Sequence, residues 1–464
     1  MYQVPQHIDK NKIFIVQRSE IEGRLDPKMA LYNRKVQNSL YPKVKLKDVL
    51  VCKPQYGASE PGVPRSSIKE PRYIRITDID ENGLISHDEL GATAKIIEDK
   101  YILCENDILI ARSGATVGKA YIHKPALYDC FFAGYLIRFI INTDKALPEY
   151  IFTYTQLNAY KEWVNAIQRP SGQPNINSEE YQSLEIPLPN IERQQVIVDV
   201  IKSAYLQKKQ KESEAKQLLD NVDAYILNEL GITLPEIKTD LKNRIFKVNR
   251  SELEERLDPT VYKDGIKLIS NNYDNVKLSS VAYINPTGTF KGKNIETPIS
   301  FIPMESIDEI YSEVSKLEDT TIENASGFTK FKEGDLLWAK ITPCMQNGKS
   351  AIAKNLTNGL GCGSTEFFVM RNKDERLAIE YLHVILHMKC VRETAMLYFG
   401  GSAGQQRVSS AFLENFNLPL PPKDKQIEIA NHVYTIRQKA KALQEEGKVL
   451  LEEAKRKVES MIIG

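Results

Sequence analysis

The chain has 464 residues, a formal net charge of +1, 42% hydrophobic and 27% charged residues. It is too long for one ordinary core and has the composition of a soluble globular protein, so two or more domains are expected. No apolar run approaches the ~18 residues of a membrane span, the start MYQVPQHIDKNK lacks the layout of a signal peptide, and six scattered cysteines point to a reducing cytosol rather than a zinc or disulfide framework.

Short strands are predicted over KVKLKDVL (43–50), RYIRITDI (72–79), DILIARS (107–113) and FFAGYLIRFIIN (131–142), where β-branched and aromatic residues alternate between Gly, Pro and Asn. A helix follows at about 148–166, with Pro148 in its first turn. The loop RPSGQPN and the Pro-bounded strand LEIPLP lead into a long helix near 190–230. Its apolar or small positions Val198, Ile201, Tyr205, Ala215, Leu219, Val222 and Ile226 step by three, four and seven, a heptad seam interrupted by the polar Lys208 and Glu212.

The second half repeats the first. RSEIEGRLDP at Arg18 returns as RSELEERLDP at Arg250, 232 residues later, which is half the chain. YPKVKL at 41 returns as YDNVKL at 273, and ENDILIARSGATVGKAYI at 105 as EGDLLWAKITPCMQNGKSAI at 333. PEYIFTYTQ at 148 matches IEYLHVILH at 379, and IPLPNIERQQVI at 186 matches LPLPPKDKQIEI at 418. The second seam is Ala430, Val433, Ala440, Leu451, Ala454, Val458 and Met461. The expected fold class is α+β: a tandem duplication of an α/β domain, each copy followed by a long helix, the two helices pairing as an antiparallel coiled coil. The expected boundaries are 1–189 and 233–421 for the domains, 190–232 and 422–464 for the helices.

Catalytic motifs fail on inspection. SGATVGK at 113–119 has three residues between Gly114 and Gly118 where a phosphate loop needs four, and Pro343 stands where the second copy would need the first glycine. YFGGSAGQ at 398–405 aligns with RPSGQPN and reads as a surface loop. The Asp- or Asn-Pro-Pro-aromatic tetrapeptide expected of a base-amine methyltransferase does not occur, PEIK at 235–238 has no partner acid, and the six histidines show no metal-binding spacing. Nothing assembles a nucleophile, a base and an orienting group, so no active site or metal site is expected. The near-neutral charge argues against a general nucleic-acid binder, and any DNA binding would have to come from local patches or a shared surface.

RSEIEGRLDP, DILIARSGATVGK, SGQPNI before IPLP, and ERQQVIVDVI resemble the specificity subunit of type I restriction-modification systems, and the order of domains and helices is similar too. The resemblance covers nearly the whole chain, with AKITPCMQNGK of the second copy departing from the pattern. It implies a non-catalytic subunit with two target recognition domains, each reading half of an asymmetric bipartite site in double-stranded DNA. It implies docking of two modification (adenine methyltransferase) subunits and of restriction (translocase-nuclease) subunits. S-adenosylmethionine, ATP and magnesium are then expected on those partners and no cofactor on this chain. Val198, Ile201, Tyr205, Leu219, Val433, Leu451 and Val458 are the expected partner-docking positions of the helices. A free-standing DNA-binding regulator and a scaffold without DNA binding are the competing readings.

Residues shared between copies should hold the fold, dock partners or touch phosphates, whereas bases should be read by groups that differ. Arg24/Arg256, Asp26/Asp258 and Pro27/Pro259 are shared and read as a structural turn. Lys119/Lys349 and Gln173/Gln405 are shared, loop-borne candidates for phosphate contacts. The divergent segments 55–72 and 286–298 carry Arg, Lys and Asn, which suit guanine and adenine edges. The candidate base readers are Arg65, Lys69, Arg72, Arg75 and Arg112 in copy one, and Lys291, Lys293, Asn294, Lys340 and Arg407 in copy two.

Overall fold

A computed structural model describes residues 27–35, 39–86, 90–168, 174–235, 259–402 and 405–463, and the single positions 15, 247, 248 and 250. Most of the repeated RSE-RLDP motif, with Arg24, Asp26, Arg256 and Asp258, lies outside the described residues. Its prolines open the helices Pro27–Lys35 and Pro259–Asp264, at the first position, where proline's missing N–H costs nothing. The chain divides into two compact units, 1–210 with 446–464, and 211–445.

The first unit holds two four-stranded sheets. One is antiparallel, in the order Gln55–Tyr56, Leu136–Phe139, Ile108–Ala111, Ala120–Ile122. The other runs Gly62–Pro64, Ala92–Ala94, Arg72–Ile74, Cys130–Phe132, with the last two parallel. The stretch 131–142, read as one strand, is therefore two strands in different sheets. The chain turns at Ala133–Tyr135, where the Gly134 N–H donates to the Ala58 carbonyl at 2.7 Å. A largely apolar run with one glycine does not by itself reveal such a crossing.

The second unit repeats this plan with Ala282–Ile284, Phe367–Asn372, Leu336–Ala339, Ser350–Ile352 in one sheet. Its other sheet is ordered Glu318–Thr321, Pro298–Ile302, Leu360–Gly363, Thr329–Lys332, again with one parallel pair, Pro298–Ile302 beside Leu360–Gly363. The copies differ at the edges of this second sheet: copy one adds Gly62–Pro64 outside Ala92–Ala94, and copy two adds Thr329–Lys332 on the opposite side.

Two short helices cover the antiparallel sheet in each unit. The expected helix at 148–166 is Pro148–Thr155 and Asn158–Ile167, broken at Leu157, whose backbone is extended (φ −82°, ψ 159°). The break lets Tyr150, Tyr154, Tyr160 and Trp163 all reach one core. Ile379–His387 and Lys389–Met396 do the same around Met388. A short antiparallel pair, Lys43–Lys45 with Glu185–Pro187 and Asp274–Lys277 with Asn417–Leu420, then closes each domain.

The same side chains pin the same joints in both copies. Tyr150 and Tyr381 donate to the carbonyls of Pro187 and Pro419. Gln194 and Gln426, both fully buried at the start of the long helices, accept from the N–H of Leu147 and Ala378 at 2.8 Å and donate to the carbonyls of Pro189 and Pro421. The buried carboxylates Asp107 and Asp335 pair with Arg138 and Arg371. Shared residues thus hold the frame, and each arrangement satisfies polar groups whose burial would otherwise be costly.

The first long helix spans Ile191–Asp220 and, past Asn221, Val222–Glu229; the second spans Lys423–Ile462 unbroken. In the first unit Ile197, Val198, Ile201 and Ala204 share a core with Leu451, Ala454, Val458 and Ile462. In the second unit Val222, Ile226 and Leu230 share one with Ile429, Ala430 and Val433. The start of one helix meets the end of the other each time, so the pairing is antiparallel. In the second unit Lys425–Glu229 (2.6 Å) and Lys439–Glu214 (3.9 Å) border the seam. The chain closes on itself in each unit: the Leu40 N–H donates to the Ile462 carbonyl, and the Ser270 hydroxyl to the Leu230 carbonyl. No helix among the described residues is long and apolar enough to cross a membrane.

Candidate nucleic-acid interface

The candidates of segment 55–72 divide into struts and free groups. Arg65 is 3% exposed, stacks 4.3 Å from the Tyr128 ring and donates to the carbonyls of Leu90 (2.8 Å), Glu70 (2.6 Å) and Ile68. Arg72 is 1% exposed and donates to the Ser86 carbonyl. Both are corrected from base readers to internal ties, because neither guanidinium reaches solvent. Arg65 directly follows the strand Gly62–Pro64 and Arg72 opens the strand Arg72–Ile74 of the same sheet, so both side chains are packed against it. Arg75 is half-exposed and held by Asp78 through Nε (3.1 Å) and Nη2 (2.9 Å). Lys69 stands exposed in the intervening loop.

Segment 286–298 is a chain of turns with Gly288 and Gly292 at positive φ (74° and 77°) and open space where a Cβ would sit on either. Lys291, Lys293 and Asn294 are all exposed there. The Asn294 side chain accepts from the Glu296 N–H, which fixes the turn. Of the shared residues, Lys119 is half-buried in the turn after Ile108–Ala111. Lys349 is spent on the Met304 carbonyl (3.1 Å), an internal contact. Gln405 is exposed, and Gln173 lies outside the described residues.

The seam positions face inward. Val198, Ile201, Val433, Leu451 and Val458 are buried within this chain, and Tyr205 and Leu219 are partly buried. Tyr205 donates to the Asn82 carbonyl. Val198, Ile201, Val433, Leu451 and Val458 are corrected from a partner-docking face to the chain's own core, since a buried side chain offers almost no surface to a second protein; Tyr205 and Leu219 keep part of their surface exposed.

The other candidates, Arg112 in copy one and Lys340 and Arg407 in copy two, lie at one matched place, the end of the inner strand Ile108–Ala111 or Leu336–Ala339 of the antiparallel sheet. In copy one the Arg112 N–H donates to the Tyr135 carbonyl (3.0 Å), the Ile176 N–H to the Arg112 carbonyl (2.8 Å) and the Gly114 N–H to the Pro174 carbonyl (3.0 Å). In copy two the Lys340 N–H donates to the Glu366 carbonyl (2.9 Å), the Val408 N–H to the Lys340 carbonyl (2.9 Å) and the Thr342 N–H to the Gln406 carbonyl (3.0 Å). Arg112, Tyr135 and Asn175 therefore occupy the backbone positions of Lys340, Glu366 and Arg407.

The side chains at these matched positions differ in kind. Arg112 lies 4.9 Å from the Tyr56 ring, and Tyr135 is 64% exposed. Lys340 lies 5.6 Å from the Phe368 ring. Arg407 grips the Glu366 carboxylate through Nε (2.9 Å) and Nη2 (2.8 Å) and gives Nη1 to the Gln405 carbonyl (3.1 Å). The guanidinium holds Glu366 below the usual carboxylate range, so it is charged at neutral pH. Tyr135, Asn175 and Glu366 escaped sequence reasoning. The available signal was a change of chemistry at aligned positions beside a shared strand, FFAGYLIRF against GSTEFFVM.

The family model for the type I restriction modification DNA specificity domain matches this chain twice, over residues 72–218 and 270–452. The specificity subunit of the type I restriction enzyme EcoEI of Escherichia coli is 36% identical over 161 residues, 33% of this chain and 26% of that protein. The chain thus matches about a quarter of that relative's length. The specificity subunit of the type I restriction enzyme MjaVIII of Methanocaldococcus jannaschii is 20% identical over 375 residues, 80% of this chain and 81% of its own. A solved chain from a type I R-M system shares the fold, with a TM-score of 0.51 and 16% identity over 91% of this chain and 96% of that one. The doubled domain, the doubled family match and the shared frame lead to one assignment: the chain belongs to the type I restriction modification DNA specificity family.

Proposed function

We propose that this chain is the sequence-reading subunit of a type I restriction-modification complex, with each recognition domain reading one half of an asymmetric bipartite site in double-stranded DNA. The observation that carries this is the pair of matched strand ends: one backbone frame presents Arg112, Tyr135 and Asn175 in one copy and Lys340, Glu366 and Arg407 in the other. Two copies of one fold suit a duplex, which has a dyad of its own, and diverged side chains suit unlike half-sites. The chain contributes no catalytic group. Modification subunits supply methylation with S-adenosylmethionine, restriction subunits use ATP and magnesium, and the complex works in the cytoplasm. The modification subunits dock on outward positions of the helices, since the seam is occupied.

The test is a domain exchange. Replacing residues 50–185 with the equivalent segment of a relative should change one half of the methylated motif, read by methylation-aware sequencing of host DNA. A change in both halves would refute the assignment of one copy to one half-site. The purified chain alone should neither methylate nor cut; robust methylation by it would refute the non-catalytic role.

A further inference from the structure

Among the candidate base readers of the second recognition domain, Arg407 is both presented to solvent and held by a carboxylate. Its side chain is 43% exposed, whereas the carboxylate behind it, Glu366, is 21% exposed. It sits on the closing strand Arg407–Val408 of a short hairpin with Phe399–Gly400, and Gly401 at φ 107° lets that hairpin turn. The strand end carrying Lys340 braces it through the Val408 N–H. Glu366 and the Gln405 carbonyl engage three of the five guanidinium N–H groups. One N–H on Nη1 and one on Nη2 are left. Two donors on neighbouring nitrogens are what the O6 and N7 acceptors of a guanine edge require.

We infer that Arg407 is a specificity-determining residue that reads a guanine in the major groove, and that Glu366 is a positioning residue that fixes the plane of its guanidinium. This rests on the proposed sequence-reading role and names the base and the residues. A free arginine must order a long side chain when it binds, whereas one clamped by a carboxylate has already lost that freedom. Copy one has Asn175 at the position of Arg407 and Tyr135 at that of Glu366, so the same place there has no charged pair and should not read guanine in this way.

The test uses the full chain in its native complex, with variants introduced at the chromosomal locus. The wild-type methylated motif is read first. Binding of the purified complex is then measured on duplexes substituted one base pair at a time. Wild type should favour guanine at one position of one half-site by roughly 5- to 150-fold. Arg407→Ala should bring that preference close to 1, leaving the other half-site and the spacer unchanged. Arg407→Gln should move it towards adenine, whose edge suits an amide. Glu366→Ala should weaken the preference at the same base pair and have no further effect in the Arg407→Ala background, which a merely structural role for Glu366 would not produce.

The inference is overturned if Arg407→Ala keeps every preference of the wild type, or weakens all duplexes equally, as loss of a phosphate contact would. If the wild-type complex shows no base preference at all, the sequence-reading role itself fails and takes this inference with it. A wild-type motif that stands while Arg407 proves indifferent removes this inference alone.

Discussion

Gly447, in the second long helix, faces Lys208 of the first so closely that a Cβ at 447 would lie 3.3 Å from the Lys208 Cγ and 3.4 Å from its Cα. Glycine within a helix costs about 1 kcal/mol relative to alanine, and here it admits a neighbouring backbone. Lys208 is one of the polar residues that interrupt the heptad seam, and the missing side chain at 447 is what accommodates it.

Gly447→Ile should therefore destabilise the chain by about 1–3 kcal/mol, as overpacking does. In Gly447→Ala the gain in helix propensity should offset the tight contact to within about 1 kcal/mol. Urea unfolding of the full chain measures both. An isoleucine tolerated without loss would mean the helices have room at this point.

Gln194→Leu and Gln426→Leu should each cost about 1–3 kcal/mol. Either change strands a buried backbone N–H, that of Leu147 or Ala378, and the carbonyl of Pro189 or Pro421. Thermal melts of the two variants should fall by similar amounts, because the two joints are built alike. A change below half a kcal/mol in both would show that these amides do not hold the helices to their domains.

Acid should weaken the second unit through His383. Burial and the nearby Arg437 depress its folded pKa to about 3, and its Nε2 lies 3.1 Å from the Ser350 hydroxyl. The unfolded histidine takes up a proton near pH 6.5, so between 6.5 and about 3 the unfolded state binds more protons. The stabilisation is complete above pH 6.5 and falls, as pH drops, by about 1.4 kcal/mol per unit. His387, half-buried and likewise pushed down by loss of solvation and by Arg437 and Arg392, acts in the same direction. Copy one has Phe152 where copy two has His383, so His383→Phe should flatten the acid dependence. Each copy carries one tryptophan, Trp163 and Trp338; fluorescence of a Trp163→Phe background isolates the second unit. Equal pH slopes with and without His383 would disprove the assignment.

Arg65→Ala should lower stability by about 1–3 kcal/mol and leave the methylated motif unaltered, because the guanidinium is spent on three backbone carbonyls. A stable variant with an altered motif would restore Arg65 as a reader.

Duplication, fold class, the antiparallel helices and the family were legible in the sequence, because they rest on periodicity and on motifs repeated in order. A heptad row or a Pro-bounded strand acts within a few residues of itself, and the 232-residue spacing shows in the letters alone. The side of each element that faced inward was not legible. Arg65 and Arg407 are the same residue type in similar polar, glycine-containing contexts, yet one is 3% exposed and the other's side chain 43%. The difference lies in partners far along the chain: the Leu90 carbonyl is 25 residues from Arg65, and the Glu366 carboxylate 41 from Arg407. Likewise the seam looked available to a partner until the other helix covered it. Burial is a property of what packs against a residue, and only the tertiary structure brings those distant groups together.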